Sequence, residues 1–219
     1  MAEIILALDL PSRDPALRML DRLPALRWVK VGSVLMTAEG PGLVRELVAR
    51  GLAVFLDLKW HDIPSTVAGS VAAAGTLGVR MATVHAAGGA EMLRAAAGAA
   101  ASGLSLVGVT VLTSQAGASP DRVAELVRGA LAAGLAGVVC SPLEVAAVRQ
   151  ALGPEPLIVV PGIRRAGDAH GDQRRVAGPA EAARDGASHL VVGRPILEAP
   201  DPAASLAEFQ VRGEVGRSP

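Results

Sequence analysis

Ala53-Val54-Phe55-Leu56-Asp57-Leu58-Lys59-Trp60-His61-Asp62-Ile63-Pro64-Ser65-Thr66 reads as a strand that ends in charge and passes through a turn into a helix. Residues two apart in a strand share a face. Val54, Leu56 and Leu58 therefore form one apolar face, suited to packing beneath outer helices. Ala53, Phe55, Asp57 and Lys59 form the other, and its polar members come last. A strand that becomes charged only at the C-terminal end of its inner face fits a parallel barrel, because sites of that fold lie at that end.

The same unit repeats along the chain. Apolar runs at Ile4–Asp9, Trp28–Gly32, Ala53–Lys59, Met81–His85, Ser105–Thr110, Gly137–Cys140, Leu157–Pro161 and His189–Gly193 predict strands. Amphipathic stretches between them predict helices, among them Glu39–Arg50, Thr66–Leu77, Glu91–Ala101, Asp121–Ala132, Pro142–Leu152 and Pro179–Gly186. Strand starts recur roughly every twenty to thirty residues, the size of one βα unit. Eight units in 219 residues without a long linker predict an α/β protein, a (β/α)₈ TIM barrel with short loops. The domain is expected to occupy 1–219, with Gly213–Pro219 a tail open to disorder. An open doubly wound sheet is the alternative, but no GxGxxG fingerprint follows the first strand. Alternation turns Ile5, Ala7 and Asp9 inward from the first strand, Trp28 and Lys30 from the second, and Met81, Thr83 and His85 from the fourth. Asp9, Lys30, Asp57, Lys59 and His85 are thereby aimed at one mouth.

Composition narrows the classes. Net charge is zero, and no basic stripe or charged tail points to nucleic acid or a membrane surface. Ala95 to Pro120 carries no charge, yet its Gly, Ser and Thr content makes it the end of a helix followed by a buried strand, not a membrane span. The N-terminal residues show no basic segment of a signal peptide. Cys140 is the one cysteine, so no intrachain disulfide can form, and a reducing, cytoplasmic setting is expected. Of 21 basic residues, only Lys30 and Lys59 are lysine. GC-rich coding accounts for the arginine excess. A lysine that persists against it marks a place where arginine would not serve: arginine does not release its proton at accessible pH, while lysine can act as a proton donor.

Those two lysines fall in the charged cluster. Asp57 and Lys59 share a face, Lys30 comes from the adjacent strand, and Asp62 lies just past the strand end, free to fold back or to reach another subunit. Alternating cations and carboxylates keep an ammonium protonated and fixed. A substrate carboxylate placed by Asp57 would be repelled, and leaving as CO₂ relieves that repulsion. The carbanion left behind would meet Lys59, which stabilises and then protonates it. A plain buried ion-pair network closing a barrel layer is the structural alternative. Two lysines with several aspartates at a mouth fit it poorly, because imperfectly paired burial is costly.

The segment DLKWHDIPSTV (Asp57–Val67) resembles the DxKxxD signature of the orotidine 5′-phosphate decarboxylase family. LALD (Leu6–Asp9), VKVG (Val29–Gly32), VTVLTS (Val109–Ser114), PGIR (Pro161–Arg164), GDQRR (Gly171–Arg175) and VGRPI (Val192–Ile196) accompany it in the family's order, over nearly the whole chain. DxKxxD alone is shared with related sugar-phosphate enzymes; HDIPSTV together with PGIR and VGRPI is far more specific. The resemblance implies decarboxylation of orotidine 5′-monophosphate to uridine 5′-monophosphate in pyrimidine synthesis, with no cofactor and no metal. It makes Lys59 the proton donor to C6, Asp57 the carboxylate facing the leaving group, and Lys30 the bridge between Asp57 and the ribose. Asp9 would bind a ribose hydroxyl. Asp62 and Thr66 would reach the neighbouring site of a homodimer, with Ile63 beside them among the substrate contacts. Thr113 would contact the pyrimidine, with Ser114 open as a second contact. Arg164, Gln173, Gly193 and Arg194 would grip the phosphate. That last assignment agrees with the usual phosphate site of the fold, after the seventh and eighth strands. There Gly193 admits a close backbone approach, the following helix start offers N–H donors, and Arg194 can chelate two oxygens. The Ile163–Arg175 loop is long enough to close over a phosphate. Val160 and Gly178 stand where many relatives carry threonine, and at Gly178 this costs a helix cap.

Other residues are read as structural. His85 is expected to pack or hydrogen-bond in the mouth, and neither it nor His61 is needed as a base. His170 and His189 have no partner at ligand spacing. Cys140 is a small buried hydrophobe, and Trp28 and Trp60 belong to core or interface. A Mg²⁺-dependent sugar-phosphate decarboxylase or aldolase, and a non-catalytic phosphate sensor, remain as rival functions.

Overall fold

A computed structural model describes residues 2–112, 119–165, 168 and 176–212. Parallel strands β1 (Glu3–Ala7), β2 (Trp28–Gly32), β3 (Ala53–Trp60), β4 (Met81–His85), β5 (Ser105–Val109), β6 (Gly137–Val139), β7 (Leu157–Val160) and β8 (His189–Val192) pair in sequence order, and β8 returns to β1 to close a barrel. Helices α1 (Arg13–Asp21), α2 (Ser33–Ala49), α3 (Pro64–Thr76), α4 (Gly89–Ala99), α5 (Pro120–Ala132), α6 (Val145–Leu152), α7 (Pro179–Arg184), α8 (Arg194–Leu197) and α9 (Pro202–Arg212) wrap it. The predicted (β/α)₈ barrel is therefore the observed fold.

The pleat separates two apolar layers. Ile5, Ala7, Phe55, Met81, Val107, Val159 and Val191 pack inside the barrel. Their strand neighbours Leu6, Val29, Val54, Leu56, Ala82 and Leu190 join the larger cluster beneath the helices. Burying apolar surface on both faces is what makes parallel strands read as near-continuous hydrophobic runs. At the N-terminal end Trp28 meets His189 edge to face at 5.2 Å, and His189 is buried there.

Element boundaries shift from the sequence reading in several segments, among them β1, α2 and the start of α6. β1 ends at Ala7, leaving Asp9 in the loop beyond it. The helix expected from Glu39 begins at Ser33 and is interrupted at Gly40 (φ 67, ψ −166), directly before Pro41. Proline lacks an N–H and drives the preceding residue out of helical geometry, and only glycine takes this one cheaply. The helix expected over Pro142–Leu152 opens with a 3₁₀ turn, Pro142–Glu144, whose start carries a Ser141/Glu144 capping box. The uncharged Ala95–Pro120 stretch ends α4 and supplies β5, and among the described residues no helix is long and apolar enough to cross a membrane.

Candidate active site

A cavity of about 500 Å³ opens at the C-terminal mouth, within the range of small-ligand pockets. Asp9, Lys30, Asp57 and Lys59 line it from the ends of β1 to β3, and Arg164, Gly193 and Arg194 from the ends of β7 and β8. Its floor includes the interior side chains Ala7, Phe55 and Val191.

Four of the charged residues form one alternating chain. Asp9 Oδ1 lies 3.0 Å from Lys30 Nζ, Lys30 Nζ lies 3.6 Å from Asp57 Oδ2, and the same Asp57 oxygen lies 2.8 Å from Lys59 Nζ. The inner members are the more enclosed: the Lys30 and Asp57 side chains are each 12% exposed and that of Lys59 36%. The other Asp57 oxygen accepts a hydrogen bond from Thr83 Oγ1 at 3.1 Å, and Thr83 Oγ1 in turn accepts from the Lys59 backbone N–H at 2.8 Å. Thr83 is fully buried. It couples the carboxylate to the backbone of the lysine that pairs with it. Sequence alternation put Thr83 on the inner face of β4 without giving it a role. The available signal was its place two residues before His85, level with the charged end of β3.

Lys59 is the one non-glycine residue among those described with a positive φ, 53°. The ladder explains it. Phe55 and Leu56 pair with Met81 and Ala82, and then Trp60 pairs with Val84, so β3 spends four steps where β4 spends two. Strict alternation predicted that Asp57 and Lys59 share a face. The structure brings them together through this irregularity, which re-aims the lysine onto its neighbour.

Gly32 keeps the cluster uncrowded, since a Cβ there would lie 3.1 Å from Lys30 Nζ, whereas one on Gly193 would meet only ordinary contacts, 3.5 Å from Ala7 Cβ and 3.7 Å from Asp9 Oδ2. Arg164 is buried at 7% exposure, and its Nη1 donates to the Ile163 carbonyl at 2.9 Å. The helix after Gly193, α8, is only four residues long, so it adds little dipole to the N–H donors expected at its start. Arg194 and the open approach at Gly193 are what that corner offers an anion.

Asp62, Ile63 and Thr66 are not brought into this cavity. All three are exposed, Ile63 at 63%, and Asp62 Oδ1 accepts from the Ile63 N–H at 2.6 Å. Thr113, Ser114 and Gln173 lie outside the described residues, as does His170. His85 sits at the mouth with its ring 5.5 Å from that of His61. Burial lowers its imidazole below the ordinary value, His61 and Lys59 push the same way, and Asp57 opposes them. Cys140 is buried at the end of β6, as its sequence position suggested.

A family model described as "Orotidine 5'-phosphate decarboxylase / HUMPS family" matches residues 2–209. A protein of Anaeromyxobacter dehalogenans named orotidine 5′-phosphate decarboxylase is 52% identical over 215 residues, covering 92% of this chain and 94% of that protein. A namesake from Halorhodospira halophila is 51% identical over 218 residues, covering 93% and 92%. Among solved structures, orotidine 5′-phosphate decarboxylase from Lactobacillus acidophilus matches with a TM-score of 0.87 at 33% identity, covering 98% of this chain and all of that one. On this evidence the chain belongs to the orotidine 5′-phosphate decarboxylase / HUMPS family.

Proposed function

We propose that this chain decarboxylates orotidine 5′-monophosphate to uridine 5′-monophosphate, a step of pyrimidine synthesis, without a cofactor or metal. The observation that carries the reading is the Asp57 carboxylate held 2.8 Å from Lys59 Nζ inside a cavity that also holds Arg164 and Arg194. A pyrimidine seated there with its carboxylate towards Asp57 meets like charge. The C6–carboxylate bond breaks, CO₂ leaves, and the electron pair stays on C6. The Lys59 ammonium stabilises that charge and gives it a proton. The resulting amine is reprotonated from solvent. Groups fixed in place before the charge develops need no reorganisation when it does, and this is the source of most electrostatic catalysis. Lys30 and Asp9 are placed to take the ribose, and Arg164, Arg194 and Gly193 the phosphate, with Thr113 and Gln173 as further contacts.

The active form in this reading is a homodimer in the cytoplasm. Support comes from Asp62, Ile63 and Thr66, which are exposed and outside their own chain's cavity, and from a single cysteine, compatible with a reducing compartment. The test is the loss of orotate absorbance when purified protein meets orotidine 5′-monophosphate in the presence of a metal chelator. Turnover is expected. Its absence, or strict dependence on added Mg²⁺, overturns the reading.

A further inference from the structure

We propose that Arg165 is a positioning residue for the phosphate end of the site, acting through the Pro195 carbonyl, one residue beyond Arg194. The proposal rests on the reading above, in which Arg194 and its neighbours hold the substrate phosphate. Arg165 stands outside the cavity and follows directly on the PGIR segment. Its side chain is 23% exposed and ion-paired on two sides.

One guanidinium joins three parts of the chain. Nη1 donates to Glu208 Oε2 of α9 at 2.7 Å. Nε and Nη2 face Asp168 at 3.3 to 3.4 Å, while the Arg165 backbone N–H donates to Asp168 Oδ2 at 2.7 Å. Nη2 also reaches the Pro195 carbonyl at 3.4 Å. The guanidinium carbon lies 5.2 Å over the Phe209 ring, and Phe209 is fully buried. A planar fork with five donors can satisfy several directions at once, which an ammonium cannot.

The Pro195 carbonyl is the informative partner, because it lies one residue beyond Arg194. It accepts a second hydrogen bond, from Ser205 Oγ of α9 at 2.8 Å, and Ser205 is 4% exposed. The residue before Arg165 is clamped too: the Arg164 N–H donates to the Ala177 carbonyl at 3.0 Å. Arg165 thus ties Arg164 on one side to Arg194 on the other, with α9 as the rigid backing. Losing it removes one of two anchors on Pro195 and leaves Asp168 and Glu208 without their cation. Displacing a substrate clamp by about 1 Å can cost on the order of a hundredfold. A purely stabilising ion pair would not select one end of the substrate, whereas the backbone that Arg165 holds flanks Arg164 and Arg194, at the end assigned to the phosphate.

The experiment compares two substrates on the full-length protein: orotidine 5′-monophosphate, and orotidine, which lacks the phosphate. In R165M, kcat/KM for the nucleotide is expected to fall by about tenfold or more, mostly through KM, while kcat/KM for the nucleoside stays within about twofold. E208Q, on α9 and remote from the cavity, is expected to show the same selectivity at about threefold, and it decides the matter if R165M does not fold. Equal losses on both substrates, or no loss on either, overturn the proposal. A wild-type protein that turns over neither substrate overturns the functional reading with it, so the two failures are distinguishable.

Discussion

Lys59 occupies the left-handed backbone region at φ 53°, which costs a residue with a side chain about 1–3 kcal/mol. Two interactions hold it there: its N–H donates to Thr83, and its ammonium pairs with Asp57. The local strain is thus tied to the orientation of the group proposed to donate the proton. Lys59→Arg keeps the charge but withholds the proton, and kcat is expected to fall by roughly 10³-fold or more; appreciable turnover in this variant would remove Lys59 from the donor role. Thr83→Val keeps the shape but strips a donor from Asp57 and an acceptor from the Lys59 backbone. Unfolding free energy should drop by about 2 kcal/mol and kcat/KM by about tenfold, measured by urea denaturation and the absorbance assay. A fully active Thr83→Val protein would show that the carboxylate does not rely on that hydroxyl.

At the scale of elements, helix starts are unevenly capped. At the 3₁₀ turn ahead of α6, Ser141 and Glu144 satisfy one another's backbone N–H groups, and Ser119 accepts from the Arg122 N–H at the start of α5. Gly178 caps α7 with no side chain, although its φ −72, ψ 153 is the extended geometry a serine cap adopts and a Cβ there meets nothing within 4 Å. Gly178→Ser is therefore expected to stabilise by about 0.5–1 kcal/mol, through the cap and a less flexible unfolded chain. That corresponds to a rise of about 2 °C in Tm by calorimetry. A lower Tm would mean that the loop before α7 needs glycine for a reason its geometry does not display.

Across the whole molecule, barrel closure buries His189 against Trp28 and lowers its imidazole below the ordinary value of 6.5, with Glu3 opposing. The folded state then binds this proton less readily than the unfolded chain. Its contribution is complete above pH 6.5 and is lost as pH falls from there towards the depressed folded value. His85 acts with the same sign. His189→Gln should flatten the decline of unfolding free energy below pH 6.5, followed by denaturant titration at several pH values; an unaltered decline would assign the acid sensitivity elsewhere. Assembly gives the other prediction at this scale. In the proposed homodimer, Asp62→Ala and Lys59→Ala proteins, each inactive alone, are expected to recover about a quarter of wild-type activity when unfolded and refolded together, since half the dimers would be mixed and each would carry one intact site. No recovery would place Asp62 outside the partner's site.

Period-two alternation and the spacing of apolar runs determined the barrel, because a strand buried on both faces must be apolar outward and can place charge inward only at its end. The same pattern, with two lysines among 21 basic residues, singled out Lys30, Asp57 and Lys59. Three things needed the folded chain: the left-handed turn at Lys59, the Thr83 bridge to Asp57, and the Arg165 tie between the β7 end, Pro195 and α9. Each depends on where one strand's register slips against the next, or on which distant residues meet. Such contacts join positions 24 to 43 residues apart, beyond the reach of any local pattern. The pairing of β3 with β4, the pairing of β7 with β8 and the docking of α9 bring them within bonding distance.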